Sequence, residues 1–197
     1  MYKLTIAICT LPVRINSFSA LVNELNNQIR LNGLTAQVQI LSFMDCKDMS
    51  VGDKRNLIKS QAKGMYLCYL DDDDRISSDY VISLIQGIDT NPDVVTFRGE
   101  YKENGVVMDF VINSGIKNES TRPHHYRLPN HICAVKRDIY MNCHFTPKNY
   151  GEDSDYADQI NQHIKTEFHI PKKLYFYDFA LETSQTHPKS KSTAYTN

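Results

Sequence analysis

Four consecutive aspartates, Asp71 to Asp74, end the apolar run in "MYLCYLDDDDRISSDY" (65–80). Like charges this close repel, and near a protein surface two of them about 4 Å apart cost about 4 kcal/mol. Water, a basic neighbour or a bound cation must offset that repulsion. Hard, clustered oxygen ligands suit Mg2+ or Mn2+, which take one or two carboxylates and complete their shell with substrate phosphates and water. If a strand persists through the acids, alternation puts Asp71 and Asp73 on one face and Asp72 and Asp74 on the other. The plainer alternative is a solvated acidic turn, with Arg75 as partner and Ser77 or Ser78 capping the next helix. A second acidic stretch, "GEDSDYADQI" (151–160), reads as a helix whose acidic first turn suits the positive end of the helix dipole.

The elements that must position these acids are legible as runs. Residues 4–10, 37–43, 65–70 and 93–99 are short, mostly apolar and rich in β-branched or aromatic side chains. Strands covered on both faces of a parallel sheet read this way. Between them lie helical patterns. Phe18, Leu21, Val22, Leu25 and Ile29 form one stripe ending near Gly33, the segment 51–64 ends at Gly64, and 77–92 ends at Pro92. Alternating strand and helix predicts an α/β fold around a mostly parallel sheet. The acids then fall at the carboxyl end of a central strand, where such sheets bind ligands. Beyond residue 100 the pattern predicts a hairpin turning at Asn104-Gly105, a long polar loop over 114–130, a strand running into a short helix over 131–140, and a strand at 172–179.

Composition bounds the function. The 197 residues suffice for one domain with a real core, and the net charge of −1 gives no electrostatic footprint for nucleic acid. No apolar run approaches the roughly 20 residues needed to span a bilayer, and the N-terminus lacks a signal-peptide pattern. Five cysteines without CxxC spacing fit a reduced, cytosolic setting. No Cys/His set has zinc spacing.

Residues 52–85 closely resemble the core of the family 2 type glycosyltransferases. Gly52, Arg55-Asn56, Ala62-Lys63-Gly64 and Asp71-Asp72-Asp73 match that family's ordered pattern. The opening 27 or so residues resemble its first strand, nucleotide-contacting loop and helix, which assigns Thr10, Leu11 and Arg14 to the nucleotide sugar. "ILSFMDCKDMS" (40–50) resembles its second strand, whose terminal acid contacts the base; Asp45 fits that place. "YGEDSDYADQI" (150–160) resembles its Glu-Asp motif, placing Asp153 where inverting members carry the catalytic base.

The resemblance implies a GT-A, Rossmann-like fold in a single domain spanning 1–197, with a nucleotide-sugar half (1–100), an acceptor-side half (101–185) and a polar tail (186–197). It implies transfer of a sugar from a nucleotide-diphosphate sugar, a UDP-sugar first among them, with Mn2+ or Mg2+. Asp73 would hold the ion, joined by His187 from the tail, while Asp71, Asp72, Arg14 and Arg55 would face the nucleotide, diphosphate or donor sugar. The compact form resembles viral, phage or bacterial members, and the acceptors open to it include a glycan, a protein, a small molecule and a hydroxylated DNA base. His124, His125 and His131 lie where they could shape an acceptor pocket. The competing readings are a nucleotidyltransferase, disfavoured because "CTLPVR" (9–14) contains no glycine, and a non-catalytic nucleotide-sugar-binding module.

Overall fold

Three parallel strands carry the acids to one edge. β1 (Tyr2–Thr10) lies between β2 (Val38–Met44) and β3 (Gly64–Asp71), with Thr10 beside Met44 and Cys9 beside Asp71. β1 and β3 are buried along most of their length, as their continuous apolar character predicts. In the computed structural model, which describes residues 1–103, 105–115, 119–121 and 124–179, they belong to a ten-stranded mixed sheet. The order is β2-β1-β3-β9-β5-β6-β8-β7, where β5 is Val94–Glu103, β6 Val106–Ile112, β7 Glu119–Thr121, β8 His124–Arg127 and β9 Ala134–Lys136. β10 (Glu167–Phe179) runs parallel along β5 and also pairs with the two-residue β4 (Arg75–Ile76). The polar segment 114–130 is therefore not one long loop, because its described parts supply β7 and β8, which extend the sheet past β6.

Helices flank the sheet. α1 (Ile15–Leu31) buries Leu21, Leu25 and Ile29 at helical spacing and packs beside α3 (Tyr80–Ile88). The expected serine cap on α3 is absent: the residue before the helix is Asp79, without a side-chain cap bond. Gln28 of α1 does the capping instead, accepting the Val81 N–H at 3.0 Å and donating to the Ser77 carbonyl at 2.8 Å. A buried amide reaching across from another helix satisfies the orphan donor as a local serine would.

α2 (Val51–Gln61) starts at Ser50, which accepts the Asp53 N–H, and it ends at Ala62, before Gly64 opens β3. α2 packs against α5 (Glu152–Asn161) and against the segment that follows α4 (Arg137–Tyr140). The contact is backbone to backbone at Gly52, where an added Cβ would stand 1.9 Å from the Thr146 carbonyl oxygen. Asn56, one turn on, donates to the Phe145 carbonyl at 2.8 Å and accepts its N–H at 3.0 Å. Gly52 and Asn56 thereby fix α2 against residues 145–148, which lead into α5. Glycine to alanine inside a helix ordinarily stabilises by about 1 kcal/mol. Gly52→Ala should instead destabilise by at least about 1–3 kcal/mol through overpacking, lowering the melting temperature by several degrees in a thermal scan.

Candidate active site

The four aspartates occupy four different environments. β3 stops at Asp71, and the Asp74 N–H bonds back to the Asp71 carbonyl at 3.2 Å, so the acids turn rather than continue as a strand. The alternation expected of a persisting strand consequently fails. Asp72 and Asp73 share one neighbour, Arg14, whereas Asp71 and Asp74 line one cavity.

Asp72 is buried with both oxygens engaged. Thr10 Oγ1 donates to its Oδ2 at 2.7 Å, and Arg14 Nη1 donates to its Oδ1 at 2.7 Å. The same Arg14 nitrogen lies 3.0 Å from Asp73, whose side chain is 49% exposed. Asp73 is held above the usual carboxylate range, first by burial and then by Asp71 and Asp72, against the lowering effect of Arg14. Leu11 opens the 3-10 turn Pro12–Arg14 that presents this arginine, and its carbonyl accepts the Arg14 N–H at 2.9 Å.

Asp71 faces a second arginine. Arg55, buried on α2, donates to Asp71 Oδ1 at 2.8 Å and to Glu152 Oε1 at 2.8 Å, with its guanidinium over the Tyr69 and Phe145 rings. Burial would raise the Asp71 carboxyl, but Arg55 first and the nearby His131 ring second outweigh it and hold the group well below the usual range. Glu152 moves the other way, because burial outweighs the same guanidinium. Asp74 is buried, accepts a hydrogen bond from the Tyr175 hydroxyl, and is pushed well up by burial and by Asp71.

Gly151 takes a φ of 78°, a left-handed conformation that turns the chain into α5. Asp153 follows in the first helical turn, accepting the Ser154 N–H at 2.9 Å. It lines the same cavity of about 330 Å³ as Asp71 and Asp74. Tyr101, Phe110, Tyr175 and Tyr177 supply an aromatic wall, and His125, Arg127 and His131 add polar groups.

At the end of β2, Asp45 pairs with Lys54 at 2.7 Å and accepts the Met49 N–H at 3.0 Å; both side chains of the pair are buried. The structure thus places Thr10, Leu11, Arg14, Asp45, Asp71, Asp72 and Asp73 at the ends of three adjacent strands, with Arg55 of α2 bonded to Asp71 and Asp153 of α5 lining the same cavity as Asp71. His187 lies outside the described residues. Glu152, Asp74 and Tyr175 escaped the sequence reading as site residues. Glu152 had a signal in its place beside Asp153, whereas Tyr175 had none short of the fold.

Among the described residues no group of three or more His, Cys, Asp or Glu side chains is arranged to hold a metal ion. A hard divalent ion needs only one or two carboxylates when phosphates complete its shell. Asp73 fits that role, being half exposed and crowded by acids that a cation would relieve.

No protein-family model matches the sequence, and no curated protein matches it. Crystal structures of S. aureus TarS do resemble the fold. One superposes with a TM-score of 0.62 at 13% identity, covering 91% of this chain and 37% of that one. TarS 1–349 in complex with UDP-GlcNAc gives a TM-score of 0.63 at 13% identity over 90% of this chain and 59% of that one. TarS 1–349 in complex with UDP gives 0.62 at 13% identity over 91% and 61%. The fold is GT-A. This chain spans between 37% and 61% of the length of these neighbours, and at this identity the likeness concerns the fold alone. No helix among the described residues is long and apolar enough to cross a membrane.

The Asp45–Lys54 pair gives a pH prediction. Burial raises the Asp45 carboxyl, but Lys54 and backbone donors outweigh it, leaving it below its ordinary 3.8. A depressed acid stabilises the fold above its unfolded value, and that contribution is lost as pH falls below about 4. Asp45→Asn should flatten this acid limb of a melting-temperature profile. It should also destabilise at neutral pH by about 3–5 kcal/mol, because the buried Lys54 ammonium loses its counter-charge.

Proposed function

We propose that this chain transfers a sugar from a nucleotide-diphosphate sugar to an acceptor hydroxyl, with inversion. The observation that carries the reading is that Asp71, at the carboxyl end of a parallel strand, and Asp153, in the first turn of α5, line one aromatic-walled cavity. The TarS complexes with UDP-GlcNAc and UDP make a UDP-sugar the first donor to test.

The reaction needs three things from the chain. The donor must be held with its anomeric carbon exposed to attack, the acceptor must lose a proton as it attacks, and the two must approach in line. Asp153 accepts the acceptor's proton. The acceptor oxygen forms a bond to the anomeric carbon while the bond to the diphosphate oxygen breaks, the electron pair leaving with the nucleotide. On this reading Arg14, which pairs with Asp72 and Asp73, lends its charge to the diphosphate. Thr10 and Leu11 fix that loop, with Asp72 as its anchor. Arg55 sets the Asp71 carboxylate toward the donor. Asp45 uses both oxygens on Lys54 and Met49, but a carboxylate has lone pairs for further donors and can also accept from a nucleobase. Mn2+ or Mg2+, held by Asp73, would act as a Lewis acid on the departing diphosphate. The acceptor is a hydroxyl-bearing molecule, with glycan, protein, small molecule and hydroxylated DNA base as the classes to screen.

Thermal scans with UDP, UDP-sugars and ATP, with and without Mn2+, test the binding half. Stabilisation that requires a nucleoside diphosphate together with the ion is expected, and a response to ATP alone would favour nucleotidyl transfer. Asp73→Asn should lose the ion-dependent part of the shift. Asp153→Asn should keep it while turnover of the donor falls by at least about 100-fold, since general-base catalysis contributes about 10²–10⁴. Wild-type turnover in the Asp153 variant contradicts the base assignment.

A further inference from the structure

His131 is a buried imidazole without a hydrogen bond of normal length. Its side chain is 9% exposed, and neither Nδ1 nor Nε2 has a hydrogen-bond partner. Buried polar groups are almost always paired, so an orphan ring calls for an explanation. Among the described residues only one other buried side-chain nitrogen or oxygen, Arg98 Nε, shares this state.

The ring is held in place by its backbone. The His131 carbonyl accepts the Tyr69 N–H at 2.8 Å, and the Cys133 N–H closes a turn onto the Asn130 carbonyl at 3.1 Å. The side chain lines the cavity that Asp71 and Asp153 share. Its Nε2 stands 3.9 Å from Asp71 Oδ2, too far for a hydrogen bond. Asp71 Oδ1 is already committed to Arg55, so Oδ2 is the oxygen turned toward the imidazole. An oxygen about 2.8 Å from both atoms fits that gap and subtends roughly 90° there. A hydroxyl group suits the pair, since it can donate to the carboxylate and accept from an Nε2–H.

We propose that His131 and Asp71 together hold one ring hydroxyl of the transferred sugar, making His131 a residue that determines donor-sugar specificity. The inference rests on the transferase reading above. A site built to bond a hydroxyl rejects the analogue that lacks it, because its polar groups are then left unpaired. The aromatic wall of Tyr101, Tyr175 and Tyr177 offers the apolar face that a pyranose ring also needs.

The test uses UDP, then whichever of UDP-glucose, UDP-galactose and UDP-GlcNAc the wild type hydrolyses fastest, and that sugar's monodeoxy analogues. His131→Leu should leave the Kd for UDP within about twofold while kcat/KM for the UDP-sugar falls about 10- to 100-fold. One monodeoxy analogue should suffer a similar loss with wild type and little further loss with the variant, the non-additivity of a shared contact. His131→Gln, which keeps a donor, should recover part of the activity. The His131→Leu melting temperature should match or exceed that of wild type, since an unpaired buried polar group is removed. Equal losses for UDP and UDP-sugar, a lowered melting temperature, or additive losses for every deoxy analogue would overturn the proposal. Unchanged donor turnover in His131→Leu sinks it while leaving the transferase intact. A wild type that binds neither UDP nor any UDP-sugar removes both.

Discussion

One guanidinium holds the two halves of the site together. Arg55 is withdrawn from water, an expensive state for a cation, and the cost is offset only if its donors are used well. It bonds Asp71 at the end of β3 and Glu152 at the start of α5, and rests on the rings of Tyr69 and Phe145. The rings are themselves locked: Phe145 stacks on Tyr156 at 4.1 Å, and Tyr69 meets Phe145 edge-on at 5.1 Å. Asp71 and Asp153 belong to elements 82 positions apart in the chain. Their placement on one cavity depends on this cation, which ties Asp71 to Glu152 beside Asp153, and on the glycine and asparagine that let α2 reach the segment leading into α5.

The acidic run is tolerable because its charges are distributed rather than pooled. Asp72 is spent on Thr10 and Arg14, Asp71 is compensated by Arg55, and Asp74 retreats behind the Tyr175 hydroxyl. Asp73 keeps the largest exposure of those whose ion pairs are described, with Asp71 and Asp72 raising it. The remaining repulsion falls on half-exposed Asp73 and on buried Asp74, both of which the neighbouring acids push up.

The sheet core and its helices were legible because strands buried on both faces read as apolar runs and α1 carries its stripe at helical spacing. The placement of Thr10, Leu11, Arg14, Asp45, Arg55 and Asp71 to Asp73 was legible as an ordered set, since each ends or follows a strand or lies on the next helix. What alternation missed at Asp72 to Asp74 is where β3 stops, a property of the turn back onto the Asp71 carbonyl rather than of residue type. The segment 114–130 looked like loop because its polar strands pair at the far side of the sheet, with no core to bury. The serine cap failed because Gln28 arrives from a different helix. His131 stood out in sequence only as one histidine among several; its significance lies in the missing partners, which no sequence displays.

Co-crystallisation with UDP and Mn2+ tests the central claim most directly. The diphosphate should lie between Arg14 and Asp73, with the ion on Asp73 and the uracil near the Asp45–Lys54 corner. The cavity between Asp71 and Asp153 would then lie open beyond the terminal phosphate. A nucleotide bound away from the ends of β1, β2 and β3, or a terminal phosphate pointing away from Asp153, would contradict it.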